Sequence, residues 1–380
     1  MMARTLKLLV AASLVASLGA CASGPKQPNP TPLGPAATIL QAKMAWSAQV
    51  GPVPATFATA TVGTGAGAGV VVASSNGAVE RIDASTGQTA WRTQVKGGIS
   101  AGTGSDGTFT AVVNDANQVV SLGPQGQILW LYQLPTSVIT APAVVAGTIV
   151  VQGADQRLWA FNAATGEKLW SNVSRAPALL LQQAAGITPH GDDLLVGNAL
   201  GRIEAVSRVS GIVLWEATLA RARGITEVER VIGITGAPAV AGSMVCARAY
   251  QSTIGCADLD SGRVLWTDKA VGDTGVSQNG TLVVASQGNG VVQSYAAASG
   301  AAGWTNDQLK YRHLSAPLLV GETVAVGDYR GYISFLSAKD GSSIGRVSTD
   351  DSAIQCPMVV VGKTMVAVTA KGGVFGFLPE

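Results

Sequence analysis

One spacing recurs along this chain: a turn glycine followed four residues later by tryptophan. Gly87 leads to Trp91, Gly126 to Trp130, Gly166 to Trp170, Gly211 to Trp215, Gly262 to Trp266 and Gly300 to Trp304. A seventh copy, Asp340-Gly341, places Gly345 where Trp is expected. Trp46 stands alone near the front, and Gly372 to Leu378 stands alone at the end. The copies fall about 43 residues apart, so eight of them account for nearly everything after position 43. Within a unit four short strands are readable. Ala141–Val145 leads through Gly147 to Thr148–Val151, then through Ala154-Asp155-Gln156 to Arg157–Asn162, and through Thr165-Gly166 to Lys168-Leu169-Trp170. Pro142, Pro238, Pro317 and Pro357 recur at one phase, as suits the first residue of a strand, whose N–H the ladder does not need.

Four strands at this period predict an all-β protein: an eight-bladed β-propeller of four-stranded antiparallel blades. The two lone halves complete one blade between them, so the N-terminal and C-terminal strands pair and close the ring. A solenoid would not need its ends to combine. Each Trp is expected to pack between blades rather than meet a ligand. Composition agrees. The 47 glycines and 47% hydrophobic content, with 13% charged residues, exclude a disordered chain and disfavour a helical one. A formal charge of +2 without a basic block leaves no footprint for nucleic acid.

The N-terminus reads as an address. Arg4 and Lys7 precede an apolar run from Leu8 to Leu18, then Leu18-Gly19-Ala20-Cys21. This predicts a signal peptide over residues 1–20. The run is too short for an ordinary spanning helix. The last four residues resemble the bacterial lipobox, which implies lipidation of Cys21. Ala22, where an inner-membrane lipoprotein typically carries Asp, implies anchoring at the periplasmic face of the outer membrane. Cleavage removes two basic residues and no acid, leaving 23 of each sign. Residues 21–42 then form the lipidated Cys and a tether rich in proline (Pro25, Pro28, Pro30, Pro32, Pro35), and residues 43–380 the propeller. No later segment reaches the length of an apolar span, which predicts a soluble body.

The units resemble the tryptophan-docking repeats of quinoprotein dehydrogenases and their non-enzymatic relatives. Eight blades behind a lipobox, with Ser315–Leu319, Val326–Tyr332 and Thr226–Arg230, resemble the BamB family of outer-membrane assembly lipoproteins. The resemblance implies a non-catalytic scaffold without a cofactor. Its partners would be the periplasmic POTRA domains of BamA, the barrel-forming subunit, and the other subunits of that complex, with outer-membrane protein clients as a further class. Clients would add to exposed strand edges by β-augmentation.

Two links between blades are long. From a repeat Trp to the next proline takes 12 residues after Trp130 and 13 after Trp304, but 19 from Trp170 to Pro189 and 23 from Trp215 to Pro238. These belong to consecutive junctions and so are neighbours in a ring. Loops on a rigid scaffold are where binding concentrates. The first link carries Leu179, Leu180, Leu181 and Gln182; its leucines either fold back onto the blade or anchor a partner. The resemblance implies that Leu179 and Leu181 touch BamA, with Gln182 where the family can carry Arg. The second link carries Arg221, Arg223, Glu227, Glu229 and Arg230, either a solvated loop or a polar rim to that contact. Gly233 and Thr235 stand where the family would show acids.

Catalytic groupings are sparse. The different-class alternative is a periplasmic quinone-dependent dehydrogenase, or another ligand-binding propeller; the enzyme needs carboxylate calcium ligands, a base and usually adjacent cysteines. Asp83, Asp258, Asp260 and Asp340 sit in repeat turns, where Asp serves local hydrogen bonding. The cysteines include no neighbouring pair, and His190 and His313 are far apart with no evident partners. The glycine-rich run Gly63–Gly69 lacks a following helix and Gly-Lys-Ser/Thr, and reads as a strand-edge loop. Cys246 and Cys256 flank a turn near Gln251, giving either a disulfide or two small buried side chains. Cys356 is expected to be buried and unpaired.

Overall fold

In each repeat, runs of β-branched residues are cut by positions that only a left-handed backbone can occupy. Unit three shows the pattern. Ala143–Val145, Thr148–Gln152, Leu158–Asn162 and Lys168–Asn172 form an antiparallel meander. Ala146 (φ 46°) and Gly147 (φ 72°) supply the two positive-φ positions of its first hairpin. At the third turn the Asn162 side chain accepts the N–H groups of Ala164 and Thr165, and Gly166 (φ 76°) donates to the Asn162 carbonyl at 2.9 Å.

The computed structural model describes residues 28–65, 67–172, 185–223, 225–226 and 230–379. Among them 32 strands form eight four-stranded sheets, and there is no α-helix. Blades one to seven span 60–94, 99–133, 143–172, 187–218, 234–269, 276–306 and 318–348. Blade eight joins Val359–Val361, Thr364–Val368 and Gly373–Pro379 to the N-terminal strand Ala42–Gln49. That strand runs antiparallel to Gly373–Pro379, from Ala42 opposite Pro379 to Gln49 opposite Gly373. The expected closure is therefore the observed one.

The first strands of blades one to seven lie against one another in succession, and that of blade eight meets that of blade one, Ala60–Val62. The second and third strands are almost wholly buried, whereas the fourth exposes alternate residues at the rim. Because strand direction alternates, one face of the ring carries the links between blades and the second-to-third turns. We term this the connector face. The opposite, turn face carries the first-to-second and third-to-fourth turns.

The tryptophans weld the blades. A Cβ added to Gly166 would lie 2.8 Å from the indole of Trp130 on the preceding blade. The same conflict recurs for Gly87 with Trp46, Gly126 with Trp91, Gly211 with Trp170, Gly262 with Trp215, Gly300 with Trp266 and Gly341 with Trp304. The repeat glycine is thus required twice, for its backbone and for the ring above it. Five indoles also donate to the carbonyl three residues before the glycine, at 2.7–2.8 Å: Trp46 to Ala84, Trp130 to Ala163, Trp170 to Arg208, Trp266 to Ala297 and Trp304 to Ala338.

The missing seventh tryptophan has a local cause. Leu40 donates its N–H to the Ile344 carbonyl at 2.8 Å, and a Cβ on Gly345 would stand 2.5 Å from the Leu40 oxygen. Residues 28–41 run along blade seven: Thr31 bonds the Lys310 carbonyl, Arg346 donates to the Gly34 carbonyl, and Leu33 packs into the core between blades six and seven. The split blade also lacks a third-to-fourth turn. An apolar cleft of about 330 Å³ opens there, lined by Leu40, Leu318, Phe335, Met365 and Phe377.

Pro142 and Pro317 immediately precede first strands, and Pro357 lies two residues ahead of one. Pro238 instead falls inside Ile234–Ala241, where the ladder register breaks between Thr235 and Ala239. The break frees the N–H-less residue from pairing. Cys246 and Cys256 face each other in register across the second and third strands of blade five and form a disulfide. Cys356 is free and buried, its Sγ donating to the Pro54 carbonyl at 3.4 Å. Burial pushes its thiol up to about 12.

Candidate partner-binding surface

The link that follows blade four starts and ends inside the protein. Leu219 and Ala220 donate their N–H groups to the Gly201 carbonyl and pack, with Ile232 and Ile234, into the core between blades four and five. Its middle is solvent-facing: Arg221, Arg223, Ile225 and Arg230 are all exposed. The buried ends fix where the exposed described residues between them emerge. Gly233 and Thr235 are buried.

The link that follows blade three meets this base. Ala185 bridges Gly236 in parallel, Gly186 donates to the Gly236 carbonyl at 3.1 Å, and the Thr188 hydroxyl donates to the Pro238 carbonyl at 2.7 Å. The end of this link therefore lies against the first strand of blade five, into which the other long link runs. Leu179, Leu180, Leu181, Gln182, Glu227 and Glu229 lie outside the described residues, as does Cys21.

The rim of blades two to four carries exposed apolar residues that the sequence reading missed. Leu129, Leu169 and Leu214 each precede a repeat Trp on blades two, three and four, and all three are exposed, as are Leu131 and Ile212. The Trp faces the next blade and the preceding residue therefore faces away from it. Ala90 and Gly303 occupy the equivalent places on blades one and six.

The turn aspartates are occupied by structure. Asp83 Oδ1 accepts from the N–H and hydroxyl of both Ser85 and Thr86, Asp258 from Ser261, and Asp340 from Ser342. Chiefly through these hydroxyl hydrogen bonds, all three carboxyls are held below the usual range. Among the described residues no three His, Cys, Asp or Glu side chains are grouped to hold a metal ion. The glycine-rich run lies in a hairpin turn between Ala60–Val62 and Gly69–Ala73.

Fold and surface together define a tryptophan-docked eight-bladed propeller whose unusual features are lengthened links and an apolar rim. The family model described as outer membrane protein assembly factor BamB matches residues 75–306 and 288–378. The outer membrane protein assembly factor BamB of Burkholderia pseudomallei is 40% identical over 353 residues, 92% of this chain and 92% of that one. The crystal structure of BamB from Moraxella catarrhalis covers 89% of this chain and 100% of its own, with a TM-score of 0.80 at 22% identity. Quinohemoprotein alcohol dehydrogenase from Comamonas testosteroni shares the fold alone, with a TM-score of 0.67 at 13% identity over 88% of this chain and 76% of its own. The chain belongs to the outer membrane protein assembly factor BamB family.

Proposed function

We propose that this chain is a non-catalytic scaffold lipoprotein of the complex that inserts β-barrels into the outer membrane. In this reading acylated Cys21 anchors it at the periplasmic face, and the links beside blades three to five bind the POTRA domains of BamA. The observation that carries the reading is the contact of Ala185, at the end of one long link, with Gly236 in the strand that the other long link enters, on a propeller whose blades three and four expose Leu169 and Leu214 at the rim. An apolar centre with a charged edge is the anatomy of a protein interface. Leu179 and Leu181 supply the centre, and Arg221, Arg223 and Arg230 the edge, which adds steering and register more than affinity.

The test is co-purification of BamA from detergent-solubilised membranes. Leu179→Glu combined with Leu181→Glu removes BamA from the eluate, while Arg221→Glu with Arg223→Glu weakens recovery most at low salt. Unchanged recovery with the leucine pair replaced would end the proposal.

A further inference from the structure

The described chain begins at a fixed point on the propeller. Arg312 is 5% exposed and grips Asp328, itself 3% exposed, through Nε at 2.7 Å and Nη2 at 2.6 Å. Its remaining Nη1 donates to the Thr31 carbonyl at 3.1 Å, and Thr31 donates to the Lys310 carbonyl at 3.0 Å. A buried ion pair thus holds the foot of the N-terminal strap on the connector face, between blades six and seven. From there the strap climbs blade seven to Leu40 on the turn face.

Cys21 precedes Thr31, the first residue held, by ten residues. Fully extended, ten residues span at most about 36 Å. A fourth strand of six residues is itself about 20 Å long. A tether starting at the connector face would spend more than half its reach in passing the blade to the other side. It reaches a bilayer with the most slack when the connector face of blades six and seven is turned toward that bilayer.

The side chains at this point suit such a surface. Tyr311, His313 and Arg330 are exposed, and the ring of Tyr329 brings the last two together beside Arg312: Arg330 lies 5.6 Å and Arg312 5.5 Å from its centre, and His313 meets it edge-on at 6.2 Å. The acids close by are engaged, Asp328 by Arg312 and Asp307 by Lys310. Aromatic rings with polar tips beside cations are the groups that settle at a headgroup layer.

We propose that Tyr311, Tyr329, Arg330 and His313 rest on the phospholipid headgroups of the bilayer that holds acylated Cys21, so that the strap sets which face of the propeller meets the membrane. The inference rests on the anchor assigned under the proposed function. The test uses the full chain recovered from membranes and reconstituted in phosphatidylethanolamine–phosphatidylglycerol vesicles, with photoreactive benzoylphenylalanine at position 311 or at position 322. Glu322 is exposed in the first-to-second turn of the same blade, on the turn face. Irradiation yields lipid adducts at 311 severalfold above those at 322, and Arg330→Glu lowers the yield at 311 without releasing the protein from vesicles. Intact mass of the N-terminal fragment separates the two readings. An unacylated Cys21 overturns the anchor and this inference with it; acylated protein with equal adducts at both positions overturns the orientation alone. An undiminished yield in the Arg330→Glu protein overturns the part assigned to the patch.

Discussion

Gly166→Ala isolates what a docked indole contributes to the ring. At Gly166 φ is 76°, and a new Cβ stands 2.8 Å from Trp130 Cδ2 and 2.9 Å from Cγ. Non-bonded carbons settle near 3.5–4.0 Å, so the indole must leave its seat. The left-handed backbone costs an alanine about 1–2 kcal/mol. The lost hydrogen bond from Nε1 to Ala163 adds about 1 kcal/mol. Loosening the Trp130–Phe161 pair, whose ring centres are 5.9 Å apart, adds about 0.5–1.5 kcal/mol. The control is Gly147→Ala, at φ 72° with nothing within 4 Å of its Cβ. It carries the backbone cost without the collision. Equilibrium urea unfolding, followed by circular dichroism, is expected to separate the two variants by about 2 kcal/mol. Equal losses would refute the claim that the repeat glycine is selected by the tryptophan above it.

Replacing both Cys246 and Cys256 by Ala opens a short loop and lowers stability by about 2–3 kcal/mol, read from the same urea transitions. Cys356 resists iodoacetamide in the folded protein at pH 8 and reacts once urea is added; rapid labelling of folded protein would contradict its burial. Its folded value near 12 lies above that of an exposed thiol, so the unfolded chain gives up the proton first. Stability therefore falls as pH rises from the ordinary thiol range toward 12, and Cys356→Ala removes that part of the slope in urea midpoints taken from pH 8 to 10.5. Arg312→Met strands the Asp328 carboxylate in the interior and costs about 3–5 kcal/mol. It also removes the hydrogen bond to the Thr31 carbonyl, leaving only the backbone bond to Lys310, so protease cleavage within 28–41 accelerates; an unchanged cleavage rate would show that Arg312 does not hold the strap.

The architecture was readable because its determinants are local. A glycine at positive φ and a tryptophan four residues later recur whatever lies between them, and the two unmatched halves announced closure. Gly345 was legible only as an exception, since the group that excludes a side chain there, the Leu40 carbonyl, comes from the other end of the chain. The cysteine pairing depended on the turn. Ala249 pairs with Thr253 around Gln251 at φ 47°, and a turn one residue longer or shorter would have put the two thiols out of register. For the surface, link lengths located the junctions, but Leu129, Leu169 and Leu214 look like core residues beside their tryptophans. Only knowing that the fourth strand forms the rim separates the two. Arg248 carried no signal at all. It is fully buried in blade five, its Nη1 donating to the Ser286 carbonyl, and burial lowers its guanidinium to about 10.

The split blade also imposes a timetable. A chain delivered N-terminus first offers Ala42–Gln49 long before its partner Gly373–Pro379 exists. At roughly 5–20 residues per second the wait is on the order of tens of seconds. During that interval the strap has no blade seven to climb and Trp46 sits on a strand with no neighbour. The ring thus locks only on a chain whose last strand has arrived, and a chain cut short of Gly373 keeps an open apolar edge. Closure distinguishes a whole chain from a truncated one by whether Ala42–Gln49 is paired.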